Sequence, residues 1–169
     1  MKKLILTRHT EKDLQDLNKI DTPLTEHGVE QAKSIAKFLE DHPYEIVFTS
    51  LMKRANKTAE IINGDKKIKI IKSIVFNEYY IRDDGENVET TSMGVSRTLT
   101  KIYSVADIYD SILVVAHNSI NKTILQRLLN IGYDESQEFF KNYGDTVVLR
   151  YDWDKGDDRW LIEDKYTPE

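Results

Sequence analysis

Ile112-Leu113-Val114-Val115-Ala116-His117 decides how this chain folds. Five consecutive apolar residues leave no polar face, so the run is a strand covered on both sides, and it stops on a histidine. Beyond His117, Ile120, Ile124, Leu128 and Leu129 recur at helical spacing. The same order of parts opens the chain: Leu4-Ile5-Leu6-Thr7 is a short apolar strand that runs into Arg8 and His9. A strand's C-terminal end is held rigidly and faces a crevice in open α/β sheets, so a side chain there is both fixed and reachable.

Between these two strands the pattern alternates. Thr25 is placed as an N-cap behind Thr22-Pro23-Leu24, and Val29, Ala32, Ile35, Ala36 and Leu39 follow as the apolar stripe of an amphipathic helix that Pro43 ends. Ile46-Val47-Phe48 reads as a buried strand ending at Thr49 and Ser50, followed by a helix from about Met52 to Ile62. Residues 68–71 make a third strand, and a weaker helical pattern runs through Leu99, Ile102, Tyr103 and Ala106. Thr146 to Tyr151 and Trp160 to Ile162 flank a polar turn and form a hairpin that closes one sheet edge. The expected fold is α/β, a three-layer sandwich with a mostly parallel central sheet, helices on both faces and a C-terminal antiparallel hairpin at the edge. No repeat or linker divides residues 1–169, which are read as one domain.

Composition narrows the chemistry. A net charge of −5 gives no global attraction to nucleic acid or anionic lipid, so neither is expected as a partner. With no cysteine, disulfides, thiolate nucleophiles and sulfur-ligated metals are excluded. The apolar stretch after Lys2 and Lys3 is too short for a signal sequence, and the cytoplasm is the expected location. Right-handed crossovers place Arg8, His9, Ser50 and His117 on one rim, with Arg54 on the first turn of the next helix. Two imidazoles with Glu11 and Asp13 are conceivable metal ligands, but no histidine pair has local metal-motif spacing and Arg8 would repel a divalent cation. The rim suits a phosphate-sized anion instead, with helix N-termini adding positive potential. No metal and no cofactor are expected.

At these residues the chain resembles the histidine phosphatases, the superfamily of phosphoglycerate mutases and acid phosphatases. Leu6-Thr7-Arg8-His9-Thr10-Glu11 is similar to its Arg-His-Gly signature, and Thr22-Pro23-Leu24-Thr25 with Gly28, Gln31 and Ala32 to its Pro-Leu-Thr segment. Thr49-Ser50-Leu51-Met52-Lys53-Arg54-Ala55 with Thr58 and Ala59 resembles the Ser, Arg-Ala, Thr-Ala block, and Val114 to His117 the second catalytic histidine. The resemblance implies that His9 is phosphorylated during turnover, that Arg8, Arg54, His117 and Asn118 hold the phosphoryl oxygens, and that Glu78 is the general acid and base, with Glu11 in reserve. On this reading His9 attacks as neutral imidazole, favoured by the neighbouring arginines, while His117 acts as a protonated donor. Ser50, Thr10, Asn18 and Gln15 are further candidates for phosphate contact, though Ser50 serves equally as a helix cap. His27 and His42 read as surface residues, and Tyr79 and Tyr80 as wall or core.

Two departures stand out. Thr10 replaces a family glycine, which strains a β-branched residue if that backbone needs positive φ, and Asn118-Ser119 replace glycines after the second histidine. The short span between Glu78 and His117 leaves the site open, similar to the small phosphohistidine phosphatases. The expected function is a metal-independent phosphohydrolase acting on a phosphorylated metabolite or a phosphohistidine protein. The alternatives are a phosphate-ester binder with weak or no turnover, and a phosphoglycerate mutase.

Overall fold

The computed structural model describes residues 1–14, 21–78, 90–156 and 159–169. Six strands form one sheet in the order β3-β2-β4-β1-β5-β6: β1 (Lys3–Arg8), β2 (Ile46–Thr49), β3 (Ile70–Lys72), β4 (Ser111–Ala116), β5 (Thr146–Tyr151) and β6 (Trp160–Tyr166). The β1/β4, β2/β4 and β2/β3 pairings are parallel, while β5 and β6 form the antiparallel hairpin beyond β1. This is the expected α/β sandwich. Differences are confined to ends: β3 starts two residues later than expected and β6 runs four residues past Ile162, to Tyr166.

The alternation of side chains along β4 builds both cores. Ile112, Val114 and Ala116 meet Ile102 of α3 (Thr91–Tyr103) and Ile120, Ile124 and Leu128 of α4 (Asn118–Leu129). Leu113 and Val115 meet Ile35 of α1 (Glu26–Phe38) and Ala59 and Ile62 of α2 (Lys53–Asn63) on the other face. A helix of one turn, α5 (Tyr133–Ser136), follows α4. Because α1 leaves β1 on one face and α4 leaves β4 on the opposite face, the β1/β4 boundary is a topological switch point, where α/β sheets open a crevice.

Local signals set the helix ends. Thr25 caps α1 by accepting the Gly28 N–H, and Thr90 caps α3 by accepting the Met93 N–H. His42 corrects the surface reading: it is 8% exposed, lies against the Phe38 ring and bonds Asp164 of β6 through Nε2 at 3.1 Å, tying the end of α1 to the sheet edge.

Gly28 is required by contact. A Cβ there would lie 2.2 Å from the Glu11 carbonyl oxygen, so the first turn of α1 presses against the backbone just after His9. Gly28→Ala gains helix propensity but meets main chain that cannot step aside, and a net loss of about 1–3 kcal/mol is expected. A urea melt with an unchanged midpoint would contradict this close approach.

Candidate active site

The β1/β4 register, which pairs Arg8 with Ala116, places His9 beside His117. The His9 N–H donates to the Ala116 carbonyl at 2.9 Å, carrying the ladder one residue past the strand, and the two rings lie 5.2 Å apart edge to face. His9 Nδ1 is 2.9 Å from the Thr10 carbonyl. A carbonyl only accepts, so Nδ1 carries the proton and Nε2 keeps its lone pair. Arg54 Nε donates to that lone pair at 3.1 Å. Burial, then the positive charges of Arg54, Arg8 and Lys12, outweigh the Thr10 bond and bring the His9 pKa down from 6.5 to about 3. His9 is neutral across the physiological range.

Thr10 carries no positive φ, since the non-glycine residues of that kind among those described are Lys67, Asn130 and Phe140. The expected strain is absent. Its N–H and its Oγ1 each meet Thr58 Oγ1 at 3.1 Å, so Thr10 is anchored to α2 and its side chain is not the phosphate donor envisaged from sequence.

His117 Nε2 lies 2.8 Å from Ser50 Oγ, which itself donates to Asn77 Oδ1 at 2.8 Å and accepts the Met52 N–H at 3.1 Å. With the Ser50 proton committed to Asn77, the His117 Nε2–H must donate, leaving Nδ1 facing Arg54 Nη2 at 3.5 Å. Ser50 is thus engaged on three sides and sets the tautomer of His117 rather than meeting phosphate. The expectation of a protonated His117 is also corrected: burial, then His9 and Arg54, push its pKa well below 6.5.

Arg8 lies over the Tyr143 ring at 4.4 Å, and its Nη1 donates to the Phe140 and Lys141 carbonyls at 3.0 and 2.9 Å. Its Nε is buried with no partner, a donor left for a ligand. Tyr143 also faces His9 at 5.6 Å between ring centres. Its loop is held by the Gly144 N–H, which donates to the His9 carbonyl at 3.2 Å, and by the positive φ of Gly144. Arg54, 7% exposed, has Asp21 Oδ1 3.9 Å from Nη1. Burial opposes the charge on both arginines; Glu78 supports both, with Asp145 acting on Arg8 and Asp21 on Arg54.

Glu78 accepts the N–H groups of Ser119 and Ile120 at 3.2 and 3.1 Å, so its carboxyl group sits on the first turn of α4, where the helix dipole favours an anion. Asn118, the first residue of α4, has a buried Oδ1 with no partner. The structure therefore brings Arg8, His9, Arg54 and His117 together, with Glu78 and Asn118 on the adjoining helix end. Glu11 is occupied elsewhere, accepting the Thr25 Oγ1–H at 2.7 Å. Gln15, Asn18, Tyr79 and Tyr80 lie outside the described residues. Sequence reasoning missed Tyr143, Lys12 and Asn77, and noted Thr58 without giving it a role. Asn77 precedes Glu78 in what reads as loop, and nothing near Tyr143 marks it except the turn glycine after it. Among the described residues no group of three or more His, Asp or Glu side chains is placed to hold a metal ion, and no helix is long and apolar enough to cross a membrane.

Residues 4–83 match the model of the histidine phosphatase superfamily, branch 1. The chain is 29% identical over 153 residues to the uncharacterized phosphatase PhoE of Bacillus subtilis (strain 168), covering 76% of this chain and 78% of that one. Over 89 residues it is 38% identical to the phosphoglycerate mutase of Schizosaccharomyces pombe, covering 47% of this chain and 42% of the mutase. The chain thus spans less than half the length of that mutase. In fold it is similar to the putative phosphohistidine phosphatase SixA of Agrobacterium tumefaciens, with a TM-score of 0.74 at 17% identity over 99% of this chain and 98% of that one. Paired histidines and clamping arginines thus meet in one crevice, and residues 4–83, which carry the first histidine and both arginines, are similar to the histidine phosphatase superfamily, branch 1.

Proposed function

We propose that the protein hydrolyses a phosphomonoester or phosphohistidine substrate, without a metal ion, through a phosphohistidine intermediate on His9. The observation that carries this reading is the state of His9. It is buried and neutral, its proton is held on Nδ1 by the Thr10 carbonyl, and its Nε2 lone pair faces Arg54. A nucleophile needs a free lone pair, and Nε2 alone has one.

Substrate phosphate draws Arg54 away from Nε2, Arg8 and Arg54 take the phosphoryl oxygens, and His117 joins them through Nδ1 once it takes up a solvent proton opposite the anion's charge. The transferring group carries its charge on three equatorial oxygens, so fixed cationic donors stabilise it without magnesium. Nε2 attacks phosphorus, the phosphorus–oxygen ester bond breaks, and the leaving oxygen takes a proton from Glu78, which enters this step as the carboxylic acid because the incoming phosphate disfavours a second negative charge beside it. The imidazole becomes positive as the phosphorus–nitrogen bond forms, and the Thr10 carbonyl on Nδ1–H stabilises that charge. In the second half, the Glu78 carboxylate takes a proton from water as the water oxygen attacks phosphorus. The phosphorus–nitrogen bond breaks, inorganic phosphate leaves, and His9 returns to neutrality.

Brief incubation with a labelled phosphomonoester followed by a quench is expected to trap an acid-labile, alkali-stable phosphoprotein. His9→Ala should lose the label and at least about a thousandfold in rate. Label that persists in the variant sinks the proposal. EDTA is expected to leave turnover unchanged, and inactivation that magnesium or zinc reverses would count against a metal-independent reaction.

The depressed His9 pKa also predicts a stability profile. The unfolded chain binds a proton at this residue below pH 6.5 that the folded chain refuses until about 3, so the contribution is complete above 6.5 and is lost as pH falls through that window. His117 acts in the same direction. Between pH 7 and pH 4.5 the urea midpoint of the wild type should fall further than that of His9→Asn. Equal falls would mean that His9 is not buried as a neutral ring.

A further inference from the structure

A cavity of about 260 Å³ opens between α4 and α5, beside the reaction centre, lined by Asn118, Ser119, Lys122, Gln126, Tyr133 and Gln137. Asn118 directly follows His117, so the cavity wall starts one residue beyond the second histidine. Its lining sets amide, hydroxyl and ammonium groups beside a comparable area of apolar surface. Lys122 stands one turn along α4 from Asn118, and its Nζ donates to the neutral Gln137 Oε1 at 2.9 Å. Among the described residues it has no acidic partner, whereas nearby Lys141 is paired with Glu138 at 2.8 Å. An ammonium whose described partner is an amide keeps two donors for a ligand. Asn118 adds an unpartnered buried acceptor in the same wall. Burial, followed by Arg8 and Lys141, disfavours the Lys122 charge against support from Asp145, so cations outnumber anions around this ammonium on a chain whose net charge is −5.

We infer that this cavity is the leaving-group subsite, and that Lys122 selects phosphate esters of small hydroxylated molecules bearing a second anionic group, with Asn118 accepting a hydroxyl hydrogen bond. The inference rests on the function proposed above. The volume is just below the roughly 300–1,000 Å³ of pockets that enclose drug-sized ligands, so the fit is to an acyclic or single-ring group. The Tyr133 ring, 71% exposed, walls the outer side. A phosphohistidine on a folded partner presents an imidazole and a backbone, which supply neither the anion nor the hydroxyl that this lining asks for.

Binding decides the matter independently of turnover. Calorimetry compares glycerol 3-phosphate with 3-phosphoglycerate, which adds a carboxylate, and with glycerol 1,3-bisphosphate, which adds a second phosphate. His9→Ala serves as the non-hydrolysing background. At least one of the two-anion ligands is expected to bind about tenfold tighter than glycerol 3-phosphate, the scale of one charge-assisted hydrogen bond, and the preferred one identifies the second anion. Adding Lys122→Met should collapse that ratio towards one, and Lys122→Arg should restore most of it, with unchanged circular dichroism showing that each variant folds. Equal binding of all three ligands, or a ratio that survives Lys122→Met, overturns the inference. If the ratio behaves as expected but the wild type hydrolyses none of the three, the subsite stands and the proposed phosphatase reaction falls.

Discussion

The hydrogen bond from the His9 N–H to the Ala116 carbonyl extends the parallel β1/β4 ladder just beyond both strands, and the rim depends on it. A ladder leaves its last residues with backbone positions set by pairing but with side chains free of the sheet's packing. His9 and His117 occupy those positions, and α1 and α4 depart from them to opposite faces. Each neighbour then attaches to that fixed pair: α2 delivers Arg54 to one ring and Thr58 to the residue beside it, Ser50 sets the tautomer of the other, and the Gly144 amide ties the Tyr143 loop to the His9 carbonyl.

The electrostatics follow from burying cations beside bases. Two guanidiniums and a lysine surround two imidazoles, and removal from water makes a further proton on either ring unfavourable. Partial compensation comes from Asp21, Asp145 and Glu78, which lie around the arginines rather than on the rings. An anion entering the centre relieves the excess. On the proposed function, that anion is the substrate's phosphate, and the preorganisation exacts its cost during folding rather than during reaction.

Much of the fold was legible because β4 announces itself as a strand buried on both faces and β1 repeats its grammar. The ends of those strands also pointed to Arg8, His9 and His117, and the helix start after Ser50 to Arg54. What sequence did not disclose were contacts made across long separations. Tyr143 reaches Arg8 and His9 from the far side of the chain through a turn whose direction depends on Gly144. Thr10 was expected to strain its backbone, a judgement that could not foresee Thr58 supplying a hydroxyl for both its amide and its side chain. His42 read as exposed because its partner Asp164 is more than a hundred residues away, on a strand longer than its apolar pattern suggested.

On the mechanism proposed above, the bond between Arg54 Nε and His9 Nε2 has a consequence for the end of the catalytic cycle. Inorganic phosphate, sitting among two guanidiniums, would ordinarily be slow to depart. Here its exit is coupled to re-forming a buried hydrogen bond between the clamp and the base, so part of the affinity for product is returned to the protein as the ion leaves. Tight capture of the transferring group and brisk clearance of its remnant then come from the same side chain.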